Sequence, residues 1–270
     1  MTNERIGSNQ SEDSSEFVLL GVTGANGISG CQFPPFGDDN PWAASVTLAA
    51  WRPMGGELRK SEIILRKEVS HEQLKVLQAN IHPYQVWRAK VQWIANPITD
   101  REEASLLELM GKDETDSELN AYAAELQEPV TFTDPQFGVF TLDRRLDQYE
   151  ATSHWGDVSV RLSILEGTPE EIEESLATAR QLWADQREWQ RKIEACALQE
   201  LKTEAWCGND DDETEVSEEE FRRRMKIETI SVEPHGSFEF WHDDGDLFAG
   251  HAIMVSGNLT DGPTDAGIHG

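Results

Sequence analysis

The sequence predicts an α+β protein of two domains, each a mainly antiparallel sheet with helices packed on it, the second domain holding a long helix. Three observations predict this. Short segments alternate apolar and polar residues with a period of two, the pattern of half-buried strands. Three Ser or Thr residues sit where they would cap helices. An Asp- and Glu-rich stretch ends at Pro129 and separates two such sets. A chain of 270 residues has room for two domains. Its 38% hydrophobic content and nine tryptophans are enough for packed cores. The pattern predicts a polar, disordered 1–15, an N-terminal domain 16–129 and a C-terminal domain 130–270.

In the first domain, Val46, Leu48 and Ala50 share one face of a strand within 42–51, and Ile63-Ile64-Leu65 marks a second strand. Ser70-His71-Glu72-Gln73 has the form of a capping box, with Leu74, Leu77 and Ile81 following at helical spacing until Pro83. Trp87, Ala89, Val91 and Trp93 alternate with polar residues as a further strand. Residues 99–128 are read as a helical connection, because Leu106, Leu107, Leu109 and Met110 fall at helical spacing.

In the second domain, strands are expected at 139–142 and at Val158, Val160, Leu162 and Ile164. Thr168-Pro169-Glu170-Glu171 is a strong helix start, with an N-cap Thr, Pro at the first helical position and Glu three after the cap. That helix is expected to run to about Trp206, with Ile172, Leu176, Ala179, Trp183, Ile193 and Cys196 as its apolar stripe. Ser217 caps a short helix carrying Phe221 and Met225. Strands around Ile230 and Val232, Phe238 to Trp241, 251–255 and 266–268, joined by Gly- and Asp-rich turns, finish an antiparallel meander.

Val22-Thr23-Gly24-Ala25-Asn26-Gly27-Ile28-Ser29-Gly30 fits the spacing T-G-x-x-G-x-x-G of a dinucleotide phosphate loop. Such a loop works by opening into a helix whose free amides face the pyrophosphate. Pro34, Pro35 and Pro41 follow and forbid that helix. The stretch is therefore read as a connection between two strands, and no cofactor is expected.

The charge is the dominant global feature: 23 Lys+Arg against 51 Asp+Glu, a net charge of -28. Residues 131–270 hold 12 of the cations and 31 of the anions, so most of the excess belongs to the second domain. Such a surface repels nucleic acid and anionic membranes and attracts basic proteins. Cys31, Cys196 and Cys207 form no paired motif, which fits a reducing compartment. The N-terminal residues lack the basic and apolar regions of a signal peptide, and no apolar run approaches the ~20 residues of a membrane span. A cytoplasmic location is expected.

Two groups of polar residues are candidate sites. Asp210, Asp211, Asp212 and Glu213, with Glu218 and Glu219, form an acidic surface suited to a cationic partner. His242, Asp243, Asp244, Asp246 and His251 combine imidazole and carboxylate, a donor set suited to zinc, iron or manganese. Asp244-Gly245 is read in preference as a hairpin turn whose flanking Asp side chains cap local amides, with no metal expected. No P-loop, zincin motif or nucleophile elbow is present in the sequence.

Asp134-Pro135-Gln136-Phe137-Gly138, Leu182-Trp183-Ala184-Asp185-Gln186, Gly236-Ser237-Phe238-Glu239-Phe240-Trp241 and Asp243-Asp244-Gly245-Asp246-Leu247-Phe248 with Gly250-His251 resemble a bacterial family, domain of unknown function 2262. Ala50-Trp51-Arg52-Pro53 and His82-Pro83-Tyr84 resemble a companion N-terminal domain. Ala249 departs from the aromatic residue expected there. Related domains with a similar D-D-x-x-F-x-G-H stretch resemble immunity proteins of polymorphic toxin systems. The resemblance implies a non-enzymatic binding protein that neutralises a basic toxin domain. The alternatives are an enzyme, or a metal- or ligand-binding domain, using the His242–His251 loop, and a plain scaffold with no site.

Overall fold

The computed structural model describes residues 15–32, 40–94, 101–201 and 216–270. The chain divides into two compact units, Met1–Glu128 and Pro129–Gly270.

The first unit is built from β1 (Glu16–Cys31), β2 (Trp42–Pro53), β3 (Ile63–Val69), α1 (His71–Asn80), β4 (Val86–Trp93), β5 (Glu102–Lys112) and α2 (Ser117–Gln127). The five strands close into a barrel in the order β1-β2-β3-β5-β4. All neighbours are antiparallel except β3 and β5. A five-stranded barrel in this order, with its helix between the third and fourth strands, has the topology of an OB barrel. Closure removes the sheet edges, and β1 achieves it by pairing with both β2 and β4. Leu19, Val46, Leu48, Trp51, Ile63, Leu65, Trp87, Val91 and Leu106 fill the interior. Leu119 and Ala123 of α2 cover Leu20, Val22, Ala50 and Val86 on the outside.

Two expectations for this unit are corrected. Residues 102–112 are strand β5, not helix; the helix of the acidic stretch is α2, capped by Asp116. The register explains the misleading spacing. Leu109 faces Ala89 and Leu106 faces Val91, with a bulge between, so residues three apart both reach the barrel core. The glycines of 24–30 are not a connection but part of β1 itself. That strand bulges between Val22 and Thr23 and between Thr23 and Ile28, and Gly27 adopts φ 60°. A Cβ on Gly27 would lie 3.1 Å from the Ile81 carbonyl, and one on Gly30 would overlap the Leu74 side chain of α1. The Thr23 hydroxyl donates to the His82 carbonyl at 2.7 Å and accepts from the Gln85 amide at 2.9 Å.

The second unit is an eight-stranded sheet of β6 (Thr131–Asp134), β7 (Gly138–Asp143), β8 (Gln148–Trp155), β9 (Val158–Leu165), β10 (Lys226–Val232), β11 (Ser237–Asp243), β12 (Ala252–Asn258) and β13 (Gly262–His269), in the order β13-β12-β11-β10-β9-β8-β7-β6. Only β9 and β10 run parallel, because the helices cross between them. Those helices are α3 (Pro169–Ala184), α4 (Gln186–Leu201) and α5 (Glu218–Arg224). The single long helix expected here is two. Asp185 leaves helical geometry at φ -140°, ψ 57°, and its carbonyl accepts the Trp189 amide, starting α4 afresh. The expected continuation to Trp206 lies outside the described residues. The capping box of α3 is present, with the Thr168 hydroxyl accepting from the Glu171 amide and Glu171 accepting from the Thr168 amide. The helices bury one face of the sheet: Leu176, Leu182, Ile193 and Phe221 pack with Phe140, Leu162, Ile230, Phe238, Phe240 and Ile253.

Candidate functional site

The densest polar stretch, 242–251, lies between β11 and β12 and folds around one carboxylate. Asp244 is 2% exposed. Its oxygens accept the backbone amides of Asp246 at 3.0 Å, Phe248 at 2.6 Å and Gly250 at 3.1 Å. Gly245, Asp246, Ala249 and Gly250 all take positive φ, which wraps the loop around that acceptor. The wrap drives Leu247 and Phe248 into the core, where Phe248 meets Phe221 edge to face. Asp243 accepts from the Gly245 amide, and Arg224 of α5 donates to the Gly245 carbonyl at 2.7 Å. Ala249 is exposed, so its departure from an aromatic leaves this arrangement intact.

The two histidines part company. His251 is exposed and its Nδ1 sits 2.6 Å from the Phe248 carbonyl. His242 is 1% exposed among core residues, and neither ring nitrogen has a hydrogen-bond partner. Burial pushes its pKa down to about 4; the nearby carbonyls of Ile253 and Phe240 favour the imidazolium only weakly, neither being a well-formed bond. Asp243 and Asp246 are exposed. Among the described residues no group of three or more His, Cys, Asp or Glu is placed to hold a metal ion. The stretch is thus brought together by backbone amides, not as a converging donor set.

Asp134 repeats the device at the other end of the sheet. It is 3% exposed, and its carboxylate accepts the amides of Gln136 and Phe137 at 2.8 and 2.9 Å and the Arg180 guanidinium at 2.7 Å. Burial alone would raise its pKa; the Phe137 amide, Arg180 and the Gln136 amide outweigh it and hold the carboxyl below its usual range.

Of the acidic candidates, Asp210 to Glu213 lie outside the described residues. Glu218 and Glu219 are exposed in the first turn of α5, where acids suit the helix dipole. Glu218 pairs with Arg222 at 3.2 Å, whereas Glu219 has no cation within ion-pair distance among the described residues. Cys31 and Cys196 are free thiols, and burial raises the Cys196 pKa; Cys207 is outside the described residues.

The matched stretches cover both units. The model of a family described as "uncharacterized protein conserved in bacteria" (DUF2262) matches residues 134–268, and that of domain of unknown function DUF7021 matches residues 5–126. The chain belongs to the DUF2262 family. No curated protein and no solved structure matches it. The stretches 134–138 and 243–251, both within the DUF2262 match, are ones whose buried aspartates tie loops to the core.

Alternation in the sequence left one feature unread. Ser231, Glu233, Ser237 and Glu239 line an open groove of about 280 Å³ on the sheet face away from the helices. Their period-two spacing was visible; their meeting depended on the β10–β11 register. Among the described residues no helix is long and apolar enough to cross a membrane.

Proposed function

We propose that this chain is an acidic, non-enzymatic binding protein of the immunity type, which occludes a basic toxin domain in the bacterial cytoplasm. The supporting observation is that most cations among the described residues of the second domain are held within that domain. Arg145, Arg161, Arg180, Arg191, Lys192, Arg222 and Arg223 each pair with a carboxylate of the same domain. Arg224 is held by a carbonyl. Among the described residues of this domain, most of the remaining carboxylates are exposed and have no cation within ion-pair distance. Like charge on this scale costs stability through self-repulsion. A net charge of roughly 2–8 is enough for solubility. The excess is explained by a cationic partner, whose approach it would steer.

The fate of the 242–251 stretch supports the same reading, because Asp244 is committed to amides and His242 is buried. The test is association with the product of the adjacent open reading frame, followed by stopped-flow across a salt series. A 1:1 complex is expected, with an association rate that falls as the Debye length shortens to about 8 Å at physiological ionic strength. Neutralising Asp210 to Glu213 should slow association more than it speeds dissociation. No complex, or a rate indifferent to salt, overturns the reading.

A further inference from the structure

We propose that the open face of β10–β12 is the contact surface for the basic partner, and that it receives an arginine side chain between Glu233 and Glu239. This rests on the binding-protein reading above and names the partner's chemistry.

The face is built by alternation. Phe238, Phe240 and His242 point into the core, so Glu239 and Trp241 point away from it. Glu239 lies opposite Ser231 of β10 on one side and Ser256 of β12 on the other. These small neighbours leave its carboxylate in a groove of about 280 Å³, with Glu233 and Ser237 also on the lining. Among the described residues, the helices of this domain pack against the opposite face, that of Phe238 and Phe240. Among the described residues neither Glu233 nor Glu239 has an ion-pair partner, and the hydroxyls of Ser231, Ser237 and Ser256 make no hydrogen bonds.

One residue along the same face, Trp241 stands over Thr229 and Met254 in register. Its indole donates to Glu239 at 2.9 Å and its ring rests edge-on against His269 at 5.3 Å. A partly exposed, laterally braced tryptophan beside a carboxylate that has no ion-pair partner among the described residues suits a guanidinium. The cation can lie on the ring while its fork meets the carboxylate. Arginine carries five donors and no acceptor, and the groove supplies carboxylate and hydroxyl acceptors. The same carboxylates would repel a phosphate group.

Titration of the full chain with a hexa-arginine peptide at low ionic strength, read by calorimetry and tryptophan fluorescence, tests the proposal. Saturable 1:1 binding is expected. Glu239→Gln should weaken it about tenfold or more, the scale of one charge-assisted hydrogen bond. Trp241→Phe should weaken it less. Glu170→Gln, which removes one exposed charge from α3, should leave it within about twofold. No saturable binding, no loss in Glu239→Gln, or equal loss in Glu170→Gln overturns the assignment. The adjacent gene product separates the two ideas: if it binds but ignores Glu239→Gln, this surface is wrong and the binding reading stands.

Discussion

Arg180 of α3 reaches across to Asp134 at the end of β6, its Nη2 2.7 Å from Oδ2, while its Nη1 holds Glu173 at 2.7 Å. The pair fastens the start of the sheet to the first helix laid on it. The aspartate is buried and already accepts two amides, so the arginine neutralises a charge that the fold has fixed in place.

Arg180→Ala is expected to cost about 1–2 kcal/mol, toward the low end for a buried group that keeps some partners. Asp134→Ala should cost more, because the Gln136 and Phe137 amides lose their acceptor as well. The carboxyl's pKa is depressed in the folded state. Its contribution is therefore complete above its unfolded value and is lost as the pH falls through the folded one. Urea titrations at several pH values between 5 and 2 check both the cost and its disappearance in acid.

Asp244 and Asp243 are adjacent, yet opposite outcomes are expected. Asp244→Ala strips the acceptor from three amides and should destabilise the domain by about 3 kcal/mol or more. Asp243→Ala removes a surface cap on Gly245 and should cost under about 1 kcal/mol. A native-like denaturation midpoint for Asp244→Ala would show that the carboxylate is not the loop's organiser.

What was legible in the sequence was local. The capping residues Ser70, Thr168 and Ser217 all cap, because a cap needs only residues within one turn. The α+β class and the antiparallel pairing followed from alternation. Barrel closure did not, since nothing near β1 reports that it will pair with β4 as well as β2. The bulge in β5 converted strand spacing into helical spacing. Asp244 stood among candidate metal donors because a sequence does not display burial. The signal available was an acid followed closely by glycines and an aromatic, a loop folding back over its own amides. Glu239 gave no signal, because its groove arises from serines on two neighbouring strands.

His242 sets an acid limit of its own. The ring is neutral in the core, with its pKa pushed down to about 4 by burial, against about 6.5 in the unfolded chain. The unfolded state therefore binds more protons between those values, and stability falls as the pH drops through that window. The shift corresponds to roughly 3 kcal/mol. His242→Leu should flatten the dependence between pH 6.5 and 4 and leave stability at pH 7 unchanged or higher, since two orphan ring nitrogens are replaced by carbon. Calorimetric melting across that range decides it; an unchanged slope would place the acid sensitivity elsewhere.

The glycines of β1 offer a prediction in which fold and function part. Thr23, Gly24, Gly27 and Gly30 have the spacing of a phosphate loop, but Thr23, Gly27 and Gly30 each have a place in the barrel. Thr23 ties β1 to the turn before β4, Gly27 supplies the left-handed residue of a bulge, and Gly30 leaves room for Leu74 of α1. A phosphate loop needs a helix N-terminus directly after it, whereas here the glycines lie inside a strand that continues along β2 from Ile28 to Cys31. Gly27→Val forces a β-branched residue to φ near 60° and should cost about 1–3 kcal/mol. Gly30→Val must displace Leu74, and with it the seat of α1 on the barrel. Both variants should lower the melting temperature, and titration of the parent protein with NAD or NADP should give no saturable signal. Micromolar dinucleotide binding that Gly27→Val abolishes without a change in melting would refute the structural account and restore the phosphate-loop reading.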